Sequence, residues 1–254
     1  MHFVMRNANG SATQRKALLP VEDGAEFCNF WIDGAPIERN LVRGKPDSLP
    51  SPTPPDQADF HVVCANMAKY FDTLFIPGQA KTLIVIAEPV SDVGGNVPLV
   101  GNLGGALQSS GVATAGQALF MSQGTAGDNQ MSCTYQDYSP NGTGSTAQSV
   151  ASGNFNPLPQ TPPRPFMIAG RTMANGNRRV DVLGTAAVGL NPTTTASAPG
   201  QTYRYGSSYS AGTPSACRLY AGWLYGRGLS DADLLLLRLG AQHLFATISD
   251  VRIP

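Results

Sequence analysis

Apolar residues in this chain recur mostly at every second position, in short runs divided by Gly, Pro, Ser and Thr. That spacing belongs to half-buried strands. Cys28, Phe30 and Ile32 alternate with Phe27, Asn29 and Trp31 and predict a first strand. Residues 60–64 and 81–87 predict two more, the second an apolar, β-branched run suited to the interior of a sandwich. Further strands are expected near residues 118–121, 132–136, 166–169, 179–183 and 203–206, with Asn175 and Gly176 as a hairpin turn. The pattern changes only near the end. Leu219, Ala221 and Trp223 alternate with Tyr220, Gly222 and Leu224 across residues 217–225, and Ser230 then opens a helix at Asp231. Ser230 is placed to accept from the Asp233 amide, Asp231 and Asp233 suit the positive helix end, and Leu229 is spaced to staple against Leu234. Leu234, Leu235 and Leu237 are expected to supply the buried side of the helix.

The punctuation is as informative as the runs. Residues 48–55 hold four prolines and cannot donate a continuous ladder, so they read as an extended connection. Residues 90–116 and 139–153 are long Gly- and Ser-rich loops, and 191–200 is a Thr/Ala/Pro loop. Residues 1–24 read as a polar N-terminal arm, and 25–254 as one sandwich with its C-terminal helix and tail. The fold class expected is therefore all-β, a two-sheet antiparallel jelly-roll sandwich with one short C-terminal helix.

The segment 217–234 resembles the closing signature of concanavalin A-like, laminin-G-like jelly rolls, in which a strand ends Tyr-Asn-Arg-Ala-Leu-Ser-Asp-Ala-Glu before a short helix. Tyr225, Arg227, Leu229, Ser230, Asp231 and Ala232 match it, while Gly226, Gly228 and Asp233 replace Asn, Ala and Glu. Residues 39–46, 60–62 and 70–73 are similar to the opening strands of such domains in bacteriophage and prophage virion proteins. Many relatives carry an acid where this chain has Ala221. The resemblance implies a virion protein of tail, baseplate or decoration type. Its partners would be other virion subunits and further copies of itself, and it would be made in the host cytosol and released by lysis.

Composition agrees with that picture. Seventeen basic and seventeen acidic residues give no net charge, which offers no field for nucleic acid. No apolar run is long enough to span a bilayer, and the start of the chain lacks the apolar stretch of a secretory signal. Cys28, Cys64, Cys133 and Cys217 show neither CxxC spacing nor a paired His and are read as free thiols.

Candidate chemistry is sparse. Retaining glucanases of the resembled fold carry Glu-x-Asp-x-x-Glu on one strand, and none of Glu22, Glu26, Glu38 and Glu88 begins that pattern. Asp128 and Asp137 are read as loop carboxylates. His2, His61 and His243 are far apart, so no zinc site or Ser–His–Asp triad is expected. Asp92, Asn96, Asn102, Asp128 and Asn129 supply oxygen atoms for calcium, though too few acids for an obvious cage. Neither a catalytic group nor a resident cofactor is assigned. The aromatics carry more: Tyr135 and Tyr138 precede one Ser/Gly loop, and Tyr203, Tyr205 and Tyr209 flank another. Exposed rings there would stack on the sugars of a host surface polysaccharide. The same rings would alternatively cover a core edge or a subunit contact. Three readings remain: virion structural protein, glycan-binding module, or glycan-cleaving enzyme.

Overall fold

The strand Lys81–Pro89 is buried along its whole length. It runs through the middle of an eight-stranded sheet that is covered on both sides. The computed structural model describes residues 19–32, 35–90, 95–104, 106–107, 113–114, 116–123, 131–140, 145–155, 165–197, 200–209 and 215–254. In it the larger sheet runs Val188–Asn191, Arg178–Leu183, Phe166–Thr172, Lys81–Pro89, Ala216–Tyr225, His61–Ala65, Asp56–Ala58. Ala25–Phe30 also pairs with Ala216–Tyr225. The smaller sheet has seven strands, in the order Val150–Ala151, Met131–Gln136, Ala118–Gln123, Gly95–Gly101, Arg204–Tyr205, Phe71–Asp72, Leu49–Pro50. Neighbouring strands are antiparallel in both sheets. This is the two-sheet sandwich with one C-terminal helix that the alternation predicts.

Side-chain alternation sorts the core into two layers. Leu83, Val85, Ala87, Ile168, Val180 and Leu219 meet Leu99, Leu119, Met121 and Cys133 between the sheets. Ile84, Ile86, Met167, Ala169 and Trp223 face the other way, against Leu234, Leu237, Ala241 and Phe245 of the helix Asp231–Ile248. One sequence reading fails here. Leu219 does not share a face with Ala221 and Trp223, because the pairing with Lys81–Pro89 shifts register between Leu219 and Ala221. That irregularity puts Tyr220, Ala221 and Trp223 under the helix and returns Leu224 to the layer between the sheets.

The helix begins as its capping residues dictate. Ser230 Oγ accepts from the Asp233 amide at 3.1 Å, and the Asp233 carboxylate accepts from the Ser230 amide at 3.0 Å. Leu229 and Leu234 join the same buried cluster. Arg171, only 2% exposed, ties this end to the sheet by pairing with Asp181 and Asp231 and donating to the Leu229 carbonyl. Of the three expected apolar contacts, Leu234 and Leu237 are buried, but Leu235 is 50% exposed. The helix carries Leu on more than one face, and only positions in step with 234, 237, 241, 244 and 245 reach the sheet.

The expected arm is shorter at its inner end. Leu19 and Val21 are buried in the helix-side layer, and the Val21 carbonyl accepts from the Tyr225 hydroxyl at 3.0 Å. Residues 1–18 lie outside the described residues.

Candidate functional site

Three of the five tyrosines expected to form an exposed platform are wholly buried: Tyr135, Tyr203 and Tyr205 each have 0% exposure. Opposing glycines explain two of them. A Cβ at Gly170 would stand 2.6 Å from the Tyr135 ring, and one at Gly222 would stand 2.6 Å from Tyr205, so each ring lies against bare backbone of the larger sheet. Their hydroxyls are used inside as well. Tyr205 donates to the Ile84 carbonyl at 3.0 Å, Tyr203 to Gln117 Oε1 at 3.2 Å, and Tyr135 bonds Thr172 Oγ1 at 2.8 Å. Burial pushes all three phenols well above their ordinary range. None of these rings presents a face to a ligand. Tyr138 is half-buried and accepts from Gln136 Nε2 at 2.9 Å. Tyr209 is also half-buried and belongs to a different surface.

Asp137 is likewise no solvated loop acid. Its side chain is 0% exposed and paired with Arg178 Nε at 3.0 Å. Its oxygens also accept from Ser197 Oγ at 2.7 Å, Thr172 Oγ1 at 3.0 Å and the Tyr138 amide at 2.9 Å. Lys81 reaches the same cluster through Ser197 and donates to the Gly78 carbonyl at 3.1 Å. Desolvation lowers the Lys81 ammonium to about 8, although Asp137 pulls the other way. Asp137 follows a strand of the smaller sheet, whereas Lys81, Thr172 and Arg178 lie on strands of the larger one. The cluster is therefore an ionic bolt between the sheets, and its saturated carboxylate cannot reach a glycosidic bond.

The outer face of the smaller sheet is different. Met131–Gln136 alternates buried and half-buried residues, the signature of a sheet with one wet face. On that face, pairing places Leu49, Asp72 and Arg204 in one row across three strands. Since Tyr203 and Tyr205 both point inward, Arg204 between them must point outward. Its guanidinium carbon lies 3.5 Å from the ring centroid of Tyr209 and 4.3 Å from that of Tyr70. Asp72 Oδ2 stands 3.7 Å from Arg204 Nε and accepts from Thr202 Oγ1 at 2.9 Å and Tyr209 Oη at 3.3 Å. Asp72 Oδ1 accepts the Leu74 amide at 3.0 Å, holding Leu74 at a φ of 59°, a left-handed value uncommon for a bulky residue. Around this clasp Leu49, Leu74 and Ile76 are 55%, 41% and 61% exposed. Sequence reasoning found Tyr209 but missed Tyr70, Asp72 and Arg204. The signal was the arginine between two tyrosines of one strand face.

Of the calcium candidates, Asp92, Asp128 and Asn129 lie outside the described residues, and Asn96 is exposed. Asn102 is a buried clamp, accepting from the Gln117 amide at 2.7 Å and donating to the Gln201 carbonyl at 2.6 Å. No cluster of three or more His, Cys, Asp or Glu suited to a metal occurs among the described residues. Cys28, Cys64, Cys133 and Cys217 are all buried, free thiols. No helix among the described residues is long and apolar enough to cross a membrane.

This geometry defines a two-sheet antiparallel β-sandwich with a largely buried, aromatic-clasped arginine on the outer face of its smaller sheet, its side chain 15% exposed. No protein-family model matches the chain, and no curated protein does either. Solved structures do resemble it. A Trypanosoma rangeli sialidase in complex with 2,3-difluoro-KDN is 13% identical with a TM-score of 0.55, covering 98% of this chain and 37% of that one. The binding domain of botulinum neurotoxin serotype D/C is 8% identical with a TM-score of 0.53, covering 89% and 53%. That of botulinum neurotoxin DC in complex with SialylT is 8% identical with a TM-score of 0.50, covering 90% and 52%. The chain thus spans about a third to a half of the chains it matches, and at these identities the likeness is one of fold.

Proposed function

We propose that the protein is a non-enzymatic adhesion and structural component of a bacteriophage or prophage virion, whose sandwich holds a host surface glycan against Arg204, Tyr70 and Tyr209. The observation that carries the glycan reading is the clasp itself, half-open and rimmed by exposed Leu49, Leu74 and Ile76 on the open sheet face. Aromatic and aliphatic surface beside fixed polar groups is what a sugar ring requires. Structural neighbours seen in complex with difluoro-KDN and with SialylT support a saccharide ligand on this fold. The virion context rests on the opening and closing segments that resemble phage jelly rolls. In that setting several copies convert weak single contacts into avid adhesion. The saturated state of Asp137 supports binding without turnover.

The test is Tyr209→Ala in the assembled particle. Host adsorption should fall about tenfold, as for loss of a stacking anchor, while incorporation and melting temperature stay unchanged. Unchanged adsorption refutes the glycan site, and reduced incorporation makes this surface a subunit contact. Release of reducing sugars from host polysaccharide by the purified protein refutes the non-enzymatic part.

A further inference from the structure

We infer that the clasp selects saccharides bearing a carboxylate, with the outer edge of the Arg204 guanidinium as the group that receives it. This deepens the glycan reading and rests on it. Arg204 Nε is buried without a hydrogen-bond acceptor, Asp72 standing off at 3.7 Å, and no acceptor among the described residues bonds the terminal nitrogens. Arg171 also has a buried Nε without an acceptor, but it and Arg178 each donate to a carboxylate within 3.0 Å, which Arg204 does not. An arginine whose faces are covered by two rings and whose edge is unspent is a fixed fork, already relieved of most side-chain freedom.

Asp72, the nearest acceptor, is committed: Oδ1 to the Leu74 amide, Oδ2 to Thr202 and Tyr209. What the cluster still offers is donors, and the complement of a donor fork is a planar oxyanion bound through paired N–H···O contacts. Arg204 and Asp72 together are neutral, so a bound monoanion leaves one net negative charge at the clasp, whereas a dianionic phosphate leaves two and meets Asp72 with the stronger repulsion. Leu49, Leu74 and Ile76 then take the apolar face of the sugar, and the left-handed Leu74 is the kind of local strain that persists where a site fixes the backbone.

The experiment titrates ¹⁵N-labelled full-length protein with matched pairs: galacturonate and galactose oligomers, glucuronate and glucose oligomers, and sialyllactose and lactose, with glucose 6-phosphate as the phosphate arm. At least one acidic member should bind about tenfold or more tighter than its neutral partner, the scale of one charge-assisted contact. That ligand should saturably shift the Arg204 Nε–H resonance. Arg204→Lys keeps the charge but loses the fork. It should remove most of that preference, and should it misfold, the wild-type ratio decides alone. Equal binding of acidic and neutral members, both weakened by Tyr209→Ala, overturns the carboxylate assignment and leaves the glycan reading standing. Tighter binding of the sugar phosphate overturns the assignment too. No binding by any probe, with host adsorption indifferent to Tyr209→Ala, sinks both.

Discussion

A single methyl group at position 222 reports where the Tyr205 ring lies, and hence whether that tyrosine is core or platform. The Cβ of Gly222→Ala would stand 2.6 Å from Cε1 and Cζ of Tyr205 and 2.9 Å from its hydroxyl. Gly222 does not occupy the left-handed region, so an unhindered methyl there should stabilise the protein by about 0.4–1 kcal/mol through the unfolded chain. Tyr205 has no room to yield. Its ring lies 5.4 Å from Phe27 and 5.5 Å from Trp31, and its hydroxyl is held by the Ile84 carbonyl. Overpacking a filled core costs about 1–3 kcal/mol. The difference of the two effects is a net loss of up to about 2.6 kcal/mol. Urea unfolding followed by tryptophan fluorescence measures it. Tyr205→Leu is destabilising alone, but it empties the space the methyl needs, so in that background Gly222→Ala should cost nothing, a coupling of about 1 kcal/mol or more. A Gly222→Ala that stabilises the wild-type background by the full effect of an unhindered methyl, about 0.4–1 kcal/mol, would place the Tyr205 ring elsewhere and restore it as a ligand candidate.

Ser230→Ala should destabilise by about 0.5–2 kcal/mol through loss of the capping box, while alanine at the exposed Ser149 should be nearly neutral; equal melting losses would refute the capping assignment. Lys81 has a folded pKa lowered from 10.5 to about 8, so above pH 8 the unfolded chain binds the extra proton and stability rises with pH. The stability of wild type minus that of Lys81→Met should therefore grow by roughly 1–2 kcal/mol between pH 8 and 9.5, and a flat difference shows that Lys81 titrates normally. Arg178→Met should cost about 3–5 kcal/mol by stranding a buried carboxylate. Arg204→Met should cost no more than about 1 kcal/mol because Asp72 keeps its other donors. Equal losses in thermal melts would erase the distinction between the two arginines.

Strands and helix were legible because burial periodicity survives in the chain itself: the apolar, β-branched run 81–87 reads as an interior strand, and Lys81–Pro89 is buried along its whole length. The cap at Ser230 was legible because it is a local interaction across three residues. Tyr135, Tyr203 and Tyr205 were not, because proximity to a polar loop in sequence says nothing about which face a ring takes. The glycines that admit two of those rings, Gly170 and Gly222, lie on strands of the opposite sheet. Asp137 was misread for the same reason: its partners Thr172, Arg178 and Ser197 lie 35, 41 and 60 residues away. Tyr70, Asp72 and Arg204 come together only through pairing of Phe71–Asp72 with Arg204–Tyr205. A long-range register of that kind leaves no local periodic mark.

The two arginine clusters show why charge alone does not mark a site in this fold. Between the sheets water is excluded, so every charge must be matched: Asp137 takes Arg178, Ser197, Thr172 and the Tyr138 amide, and nothing is left to offer a ligand. The outer face of the larger sheet is closed in turn by the helix, through Leu234, Leu237, Ala241 and Phe245. The outer face of the smaller sheet keeps water, and water tolerates an arginine whose hydrogen bonds are unmade by protein. There Tyr70 and Tyr209 fix the guanidinium without consuming its donors, since stacking engages the faces of the group and not its edge. A side chain immobilised yet unsatisfied gains more from a ligand than either a saturated ion pair or a freely rotating surface arginine, because the ordering cost is already met within the fold.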